Sequence, residues 1–428
     1  MIRKHRVLES ILLFLAVQAV PLFAQNSGNI DDYLTVKIAV MGPGTELYYW
    51  WGHIGLIVEL NNLGESRLYD YGLFSFNNEN FFLNFALGRL LYSSGVSRTK
   101  PNIDRYIATN RDVTVYTLNL PRETKEKIWA FAEESVLPEN RDYWYHHFKD
   151  NCSTRIRDII DYGLDGRFAA AFYDAPGRFT LRQHVRRHTY HSPFFDWLLN
   201  FLMGQNIDTP ITVWEEMFLP AEVGRAIENF TYTDDAGSEC KLVGGVEVIN
   251  RAINRPPVLD RPRRQWLREL VLGVLLAALL LAVMIVKGRG KRAAEILWGI
   301  SQSLLGLFFG AAGLVLFFMT FFTNHDYTYY NINIIYINFL ILAAAPLGIR
   351  YCTAWNDFDR AWYGYLLKIL WSYVLCFGLL SLALRALPWF WQQNQVTLVL
   401  VLPFAAVLSF LPDLILRLKR GIFWRWFN

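Results

Sequence analysis

From Trp266 onward the chain is a succession of apolar runs separated by short polar pieces, a pattern that commits this part of the molecule to lipid rather than water. Candidate spans are read at 268–286, 296–323, 332–349, 365–386 and 396–417, each near the ~20 residues that a bilayer core requires. The expectation is an all-α bundle of about five transmembrane helices within a domain 266–428, the second helix long enough to tilt or bend. Charge supplies the orientation. Lys287, Arg289, Lys291 and Arg292 follow the first run, Arg350 and Arg360 the third, and Arg417, Lys419, Arg420 and Arg425 the fifth. The loops 324–331 and 388–395 contain neither Lys nor Arg. The positive-inside bias then places the basic loops and the C-terminus in the cytoplasm, and the two loops without Lys or Arg outside with residues 25–265. Arg261, Arg263, Arg264 and Arg268, just before the first run, go against this bias. Signal-driven export of a large domain overrides such local charge.

An export signal is legible at the other end. Arg3, Lys4 and Arg6 precede an apolar stretch from Val7 to Phe23, and Ala24 before Gln25 offers the small residue of a cleavage site. The short apolar core favours a cleaved signal peptide, 1–24, over a retained anchor. The chain averages 53% hydrophobic and 19% charged residues, but residues 25–265 have the mixed charge of an ordinary globular domain. A net charge of +4 with no basic stripe excludes nucleic acid as the evident partner. Two of the four cysteines, Cys152 and Cys240, lie in the exported part. In an oxidising compartment they could form one disulfide, or Cys152 could be a free, reactive thiol.

The exported part alternates strand and helix signals. Residues 33–41, 51–60, 66–72 and 112–118 read as strands. Residues 79–92 and 122–134 read as helical, and 150–162, ended by Gly163, is the strongest helix. Residues 165–262 carry several prolines and no clear period. The mixture predicts an α+β domain with helices on a small antiparallel sheet.

Two short segments carry chemistry. In Gly52-His53-Ile54-Gly55-Leu56-Ile57-Val58-Glu59, strand periodicity puts Ile54, Leu56 and Val58 on one face and His53 on the other, with Gly55 leaving space beside it. In Asp150-Asn151-Cys152-Ser153-Thr154-Arg155-Ile156, Asn151 is a helix N-cap and Cys152 stands in the first turn. Free N–H groups and the positive helix end there favour thiolate over thiol. Cys152, Ile156, Ile159 and Ile160 share one helical face, so the thiol faces packed structure. Singly, a half-buried histidine and a core cysteine would be ordinary. Together they make a nucleophile and a base, and Asp70 on the next strand is the candidate to orient the imidazole, Tyr69 and Tyr71 pointing to the opposite face. His146-His147 could serve substrate or metal, but adjacent residues diverge. His184, His188 and His191 among Arg182, Arg186 and Arg187 read as a basic surface near lipid headgroups.

The run Tyr145-His-His-Phe-Lys-Asp-Asn-Cys152-Ser-Thr-Arg-Ile-Arg157-Asp, with Trp50-Trp51-Gly-His53-Ile-Gly-Leu and Tyr69-Asp70-Tyr71-Gly72, resembles the Lnb family of bacterial envelope proteins. The exported domain is also similar to permuted papain-like thiol enzymes such as lecithin:retinol acyltransferase; where that enzyme has a second histidine, this chain has Asp70. The resemblance implies a permuted papain-like fold and an acyltransferase of the inner membrane that acts without a cofactor or metal. Its partners would be a phospholipid acyl donor and a lipoprotein acceptor. Cys152 would be the nucleophile, His53 the base and Asp70 its orienter. Asn151, Ser153, Trp51, Tyr71 and Arg155, which flank them in the motifs, would hold substrate or oxyanion. A phospholipase or other cysteine hydrolase, or a non-catalytic membrane-anchored module with Cys152 paired to Cys240, are the alternatives.

Overall fold

The alternating first segment forms strand β1 (Leu34–Met41), around which a seven-stranded sheet assembles in the computed structural model. The structure describes residues 33–74, 80–234, 237–264 and 266–417; the expected signal peptide and Lys419, Arg420 and Arg425 lie outside them. The other strands are β2 (His53–Leu60), β3 (Glu65–Leu73), β4 (Leu91–Arg98), β5 (Val113–Leu118), β6 (Asp142–Trp144), β7 (Thr231–Thr233), β8 (Glu239–Lys241) and β9 (Val243–Asn250). The order is β6-β4-β3-β2-β1-β5-β9, antiparallel throughout, and β7 and β8 make a separate hairpin. Besides the short helices Arg167–Phe172 and Val213–Glu216, the helices of this part are α1 (Phe81–Ala86), α2 (Thr99–Ala108), α3 (Arg122–Ser135), α4 (Cys152–Gly163), α5 (Leu181–Thr189), α6 (Pro193–Leu202) and α7 (Pro220–Asn229).

Both faces of the sheet are covered. Val36, Ile38, Ile54, Leu56, Tyr69 and Tyr71 meet α3, α4 and α7 on one side. Ala39, Met41, Ile57, Leu68 and Val113 meet Ile103 of α2 on the other. The domain is α+β, as its sequence predicts, with a larger sheet than expected. The helix expected over 79–92 stops at Ala86, because Gly88 at φ +72° turns the chain into β4. Strand β4 is Ser-rich and without alternation, and β9 pairs with β5 from more than a hundred residues away, so neither is visible in local pattern.

Residues 165–262 form the joint with the membrane part. The expected basic surface there is instead buried: Arg182, 0% exposed, pairs with Asp208 (2.7 Å), His184 with Glu216 (2.8 Å) and Arg187 with Glu222 (3.0 Å). These acidic partners lie outside the helix that carries the basic residues, which is why local sequence suggested a solvated face. Helix α6 lays Trp197 and Phe201 on the bundle, the Trp197 ring stacking on Phe308 (5.5 Å) and meeting Phe309 edge-on (6.1 Å). Arg268, charged against the orientation bias, lies 3.7 Å from the buried carboxylate of Asp196.

Three helices of the described residues are long and apolar enough to cross a membrane: α8 (Trp266–Lys287), α9 (Arg292–Phe322) and, after α10 (Ala344–Thr353), α11 (Asp357–Leu384). Helix α12 (Gln395–Leu408) continues into Leu411–Arg417 with a 55° bend, and the pair can count as a fourth span. The expected third span, 332–349, is not one helix. It is two short 3-10 turns followed by α10. Asn331 and Asn338 accept the N–H groups of Asn333 (3.0 Å) and Leu340 (3.1 Å), and such side-chain bonds compete with a regular helix. The broken segment lies antiparallel along the glycine face of α9: Cβ atoms at Gly313, Gly310 and Gly306 would collide with Asn338, Leu342 and Ala344. Small residues let irregular backbone approach this closely inside a bundle.

The loops 324–331 and 388–395 touch the exported domain. Asn324 N–H donates to the Leu87 carbonyl (2.8 Å), Asp326 bonds His146 (2.7 Å), and Gln392 Nε2 donates to the Met203 carbonyl (3.0 Å). Gly313→Leu is expected to separate the broken segment from α9, since a Cβ there would stand 2.5 Å from Asn338 Cα. A loss of about 1–3 kcal/mol should appear as a lower unfolding temperature of the detergent-solubilised protein, with Leu314→Ala, on an exposed position, as the control.

Candidate active site

Antiparallel pairing aligns Gly55 of β2 with Asp70 of β3, which sets His53 and Asp70 diagonally on one face. His53 Nε2 lies 2.8 Å from Asp70 Oδ1 and the ring stacks on Tyr106 of α2 (6.1 Å between centroids). With Nε2 engaged, Nδ1 is the nitrogen left for proton transfer. Arg111 lies over the far face of the assembly, 4.8 Å from the Tyr106 ring.

Cys152 arrives on α4, which packs on β2 and β3. Asn151 caps this helix: its Oδ1 accepts from Ser153 N–H (2.8 Å) and Thr154 N–H (3.0 Å), and its Nδ2 donates to the carbonyls of His147 (2.8 Å) and Phe218 (3.0 Å). The cap stabilises the helix by about 1 kcal/mol and locates the thiol. Cys152, Ile156, Ile159 and Ile160 are buried together as their spacing predicts. Cys152 and Cys240 are both free thiols, so the disulfide alternative is not realised.

Cys152 and His53 both approach Gly72. A Cβ built there would stand 3.6 Å from Cys152 Cβ and 3.8 Å from His53 Cε1, so both side chains border one small space. The register of β3 on β4 slips between Tyr71 and Leu73, and Gly72 takes φ +133°, a conformation reserved in practice for glycine. The bulge therefore both removes a side chain and bends the strand where Cys152 and His53 approach.

Electrostatics favour the charged imidazole. Burial works against the imidazolium, but Asp70, Tyr106 and Cys152 outweigh it and raise His53 well above its ordinary value. Tyr92, Tyr143 and Tyr145 also surround the thiol; burial first, then the charge of Cys152, raises the Tyr145 and Tyr143 hydroxyls beyond the usual phenol range. The Tyr143 hydroxyl is buried without a hydrogen-bond partner among the described residues. His147 is held neutral, pushed down to about 3 by burial and by the neighbouring His146 and His325.

The remaining candidates are placed elsewhere. Asn151 and Ser153 flank the thiol, with Ser153 Oγ 4.0 Å from Cys152 Sγ; the Asn151 Nδ2 is taken by the carbonyls of His147 and Phe218 and the Ser153 N–H by the cap, whereas the Cys152 N–H is not engaged by that cap. Tyr71 is in the core beneath the sheet, its hydroxyl 2.8 Å from Ser135 Oγ. Arg155 is bound to Asp150 (2.8 Å) and lies over the Tyr143 ring (3.6 Å). Trp51 stacks on His188 of α5 (6.4 Å). His146 and His147 diverge, the first to Asp326 (2.7 Å), the second against Tyr327 (5.5 Å). No cluster of three His, Cys, Asp or Glu able to hold a metal occurs among the described residues. Tyr106, Tyr92 and Tyr143 were missed because helix α2 and strands β4 and β6 leave little trace in local pattern.

These features define a class: an α+β domain with a thiol beside an oriented imidazole, joined to an apolar helical bundle. Residues 25–187 match the family model of the Lnb N-terminal periplasmic domain, and residues 265–411 that of the Lnb transmembrane domain. The chain belongs to the Lnb family: it is a membrane-associated, lipoprotein-modifying enzyme of the inner membrane with a periplasmic N-terminal domain. Neither a curated protein nor a solved structure matches it.

Asp70→Asn is expected to leave burial as the dominant influence on His53 and so lower its proton affinity. Alkylation of Cys152 by iodoacetamide at pH 7 should then slow roughly tenfold, as the thiolate loses a cationic neighbour. The sign for stability follows from the same shift. A histidine raised in the folded state contributes its full stabilisation below its ordinary value of 6.5 and loses it as pH rises through the folded value. The stability difference between wild type and Asp70→Asn should therefore shrink at alkaline pH.

Proposed function

We propose that this protein is a cysteine-dependent acyltransferase, with an exported domain of permuted papain-like type. It would move a fatty acyl chain from a phospholipid to the N-terminal amine of the lipid-modified cysteine of a lipoprotein. The observation that carries this reading is the meeting of Cys152 with the His53–Asp70 pair at Gly72, in a domain whose loops rest on a membrane bundle.

In the first half-reaction the Cys152 thiolate attacks the ester carbonyl carbon. The ester C–O bond breaks, and the leaving oxygen takes the proton from His53 Nδ1 to give a lysophospholipid. In the second, the lipoprotein amine attacks the thioester carbonyl. Its proton passes to His53, the C–S bond breaks, and the thiolate returns with an amide-linked product. Asp70 holds the imidazole orientation throughout. Developing oxyanion charge would be met by the Cys152 N–H at the positive end of α4 and by the unpartnered Tyr143 hydroxyl. Tyr145, His147 and Tyr327 pack edge-on beside the site and limit the water that would hydrolyse a thioester.

The topology that suits this chemistry has five crossings, the broken segment 332–353 serving as the third, with the C-terminus cytoplasmic. It is supported by the contacts that the loops 324–331 and 388–395 make with the exported domain.

Mass spectrometry of lipoprotein N-termini is the test. Expression of the wild-type protein should add one amide-linked acyl chain, and Cys152→Ala should abolish it. Release of free fatty acid with no amide product would overturn transfer in favour of hydrolysis. Tyr143→Phe should lower kcat by about 10²–10³ without loss of thiol alkylation.

A further inference from the structure

Helix α1 is too apolar for a helix facing water. Its sequence is Phe-Phe-Leu-Asn-Phe-Ala, with Leu83 58% and Phe85 45% exposed. It is also locked to the membrane part. A Cβ at Gly88 would stand 2.9 Å from both Asn324 C and His325 N, and His325 Nε2 lies 3.0 Å from the Phe85 carbonyl. Asn324 and His325 immediately follow the end of α9, where Phe321 and Phe322 are exposed apolar side chains. The apolar surface of the membrane helix thus continues onto α1.

From α1 a ladder of rings leads inward. Phe81 stacks on Phe74 (6.0 Å), Phe74 on Tyr92 (5.1 Å) and Tyr92 on Tyr145 (4.2 Å). Tyr145 meets His147 edge-on (5.4 Å), and the His147 carbonyl accepts from Asn151, the cap of the Cys152 helix. Phe74 stands two residues beyond Gly72, the point where Cys152 and His53 meet. The track begins at an exposed apolar surface beside the end of α9, runs along stacked aromatic rings, and ends beside the start of the Cys152 helix.

We infer that α1 and the Phe81–Phe74–Tyr92–Tyr145 ladder form the entry for an acyl chain of a bilayer phospholipid, admitting it from the outer leaflet to Cys152. The chemistry at its end rests on the acyl-transfer reading; the binding does not. An acyl chain fits because α1 carries no charged side chain of its own and its exposed apolar face lies beside the end of a membrane helix.

The full-length Cys152→Ala protein, in nanodiscs of phosphatidylethanolamine carrying a diazirine on one acyl chain, tests this by photolabelling and peptide mapping. Adducts are expected on α1 and on the Tyr92 and Tyr145 segments. Leu83→Asp should reduce labelling at Tyr92 and Tyr145 about tenfold, the loss of one buried leucine anchor. Leu63→Asp, equally exposed in the β2–β3 turn, should not. Adducts confined to α8–α12, or labelling unchanged by Leu83→Asp, would overturn the inference. Protein–protein adducts at α1 in place of lipid adducts would overturn it in favour of a second copy of the chain. Because Cys152→Ala forms no thioester, these outcomes are separate from the transfer reading. Adducts along the ladder, with no thioester in the wild-type protein, would keep the entry and remove the transfer.

Discussion

A single buried guanidinium organises the joint on which the rest depends. Arg182 donates to Asp208 (2.7 Å) and to the carbonyls of Asn200 (2.7 Å), Met203 (2.9 Å) and Gly204 (2.7 Å). The other Asp208 oxygen accepts from Gln393 N–H (3.0 Å), and Gln392 reaches the Met203 carbonyl. One exported helix, one connecting loop and one membrane loop are thereby tied through the same charge pair. A buried pair adds little net stability, but removing one partner typically costs about 3–5 kcal/mol because the other is left uncompensated. The joint is thus held in a single arrangement, with α6 against the bundle.

That arrangement bears on the thiol. Asp326, from the loop after α9, bonds His146 and Lys149, only a few residues before the Cys152 helix. The hydrogen bond from His146, aided by Lys149, holds its carboxyl well below the usual range despite partial burial. The Asn151 cap takes the carbonyls of His147 and Phe218 as acceptors, so the same short stretch fixes the start of α4. Hydrogen bonds thus join the membrane loop, the His146–Lys149 turn and the start of the Cys152 helix. A domain held flexibly on a tether would not need such a path. The proposed reaction does, because its substrates lie in the bilayer and the thiol must keep a constant height above it.

Some of this was legible in the chain. The N-cap at Asn151, the apolar face of Cys152, Ile156, Ile159 and Ile160, and the separation of His53 from the Ile54–Leu56–Val58 face are all consequences of helix and strand period, which act over a few residues. The pairing of Asp70 with His53 was within reach for the same reason, since adjacent strands joined by a short turn have a constrained register. The membrane runs follow from hydrocarbon thickness, again a local quantity.

What local pattern could not carry was everything that depends on distant partners. The basic residues of α5 look solvated until Asp208, Glu216 and Glu222 are brought to them by the fold. The run 332–349 is apolar enough for a helix, and only the asparagine side chains and the glycine face of α9 show why it breaks. The commitment of the Asn151 Nδ2 to the carbonyls of His147 and Phe218, of the Tyr71 hydroxyl to Ser135 and of Arg155 to Asp150 was equally invisible, because a polar side chain's partner is decided by tertiary approach. The sequence alone determined that this is a membrane-anchored α+β protein carrying a capped helix with a cysteine at its start and a histidine on a strand, because periodicity, capping and hydrophobic length are short-range. Only the tertiary structure decided that the two meet across Gly72 beside a membrane-docked face, because that meeting needs a strand bulge, a missing side chain and a buried joint contributed by residues far apart in the chain.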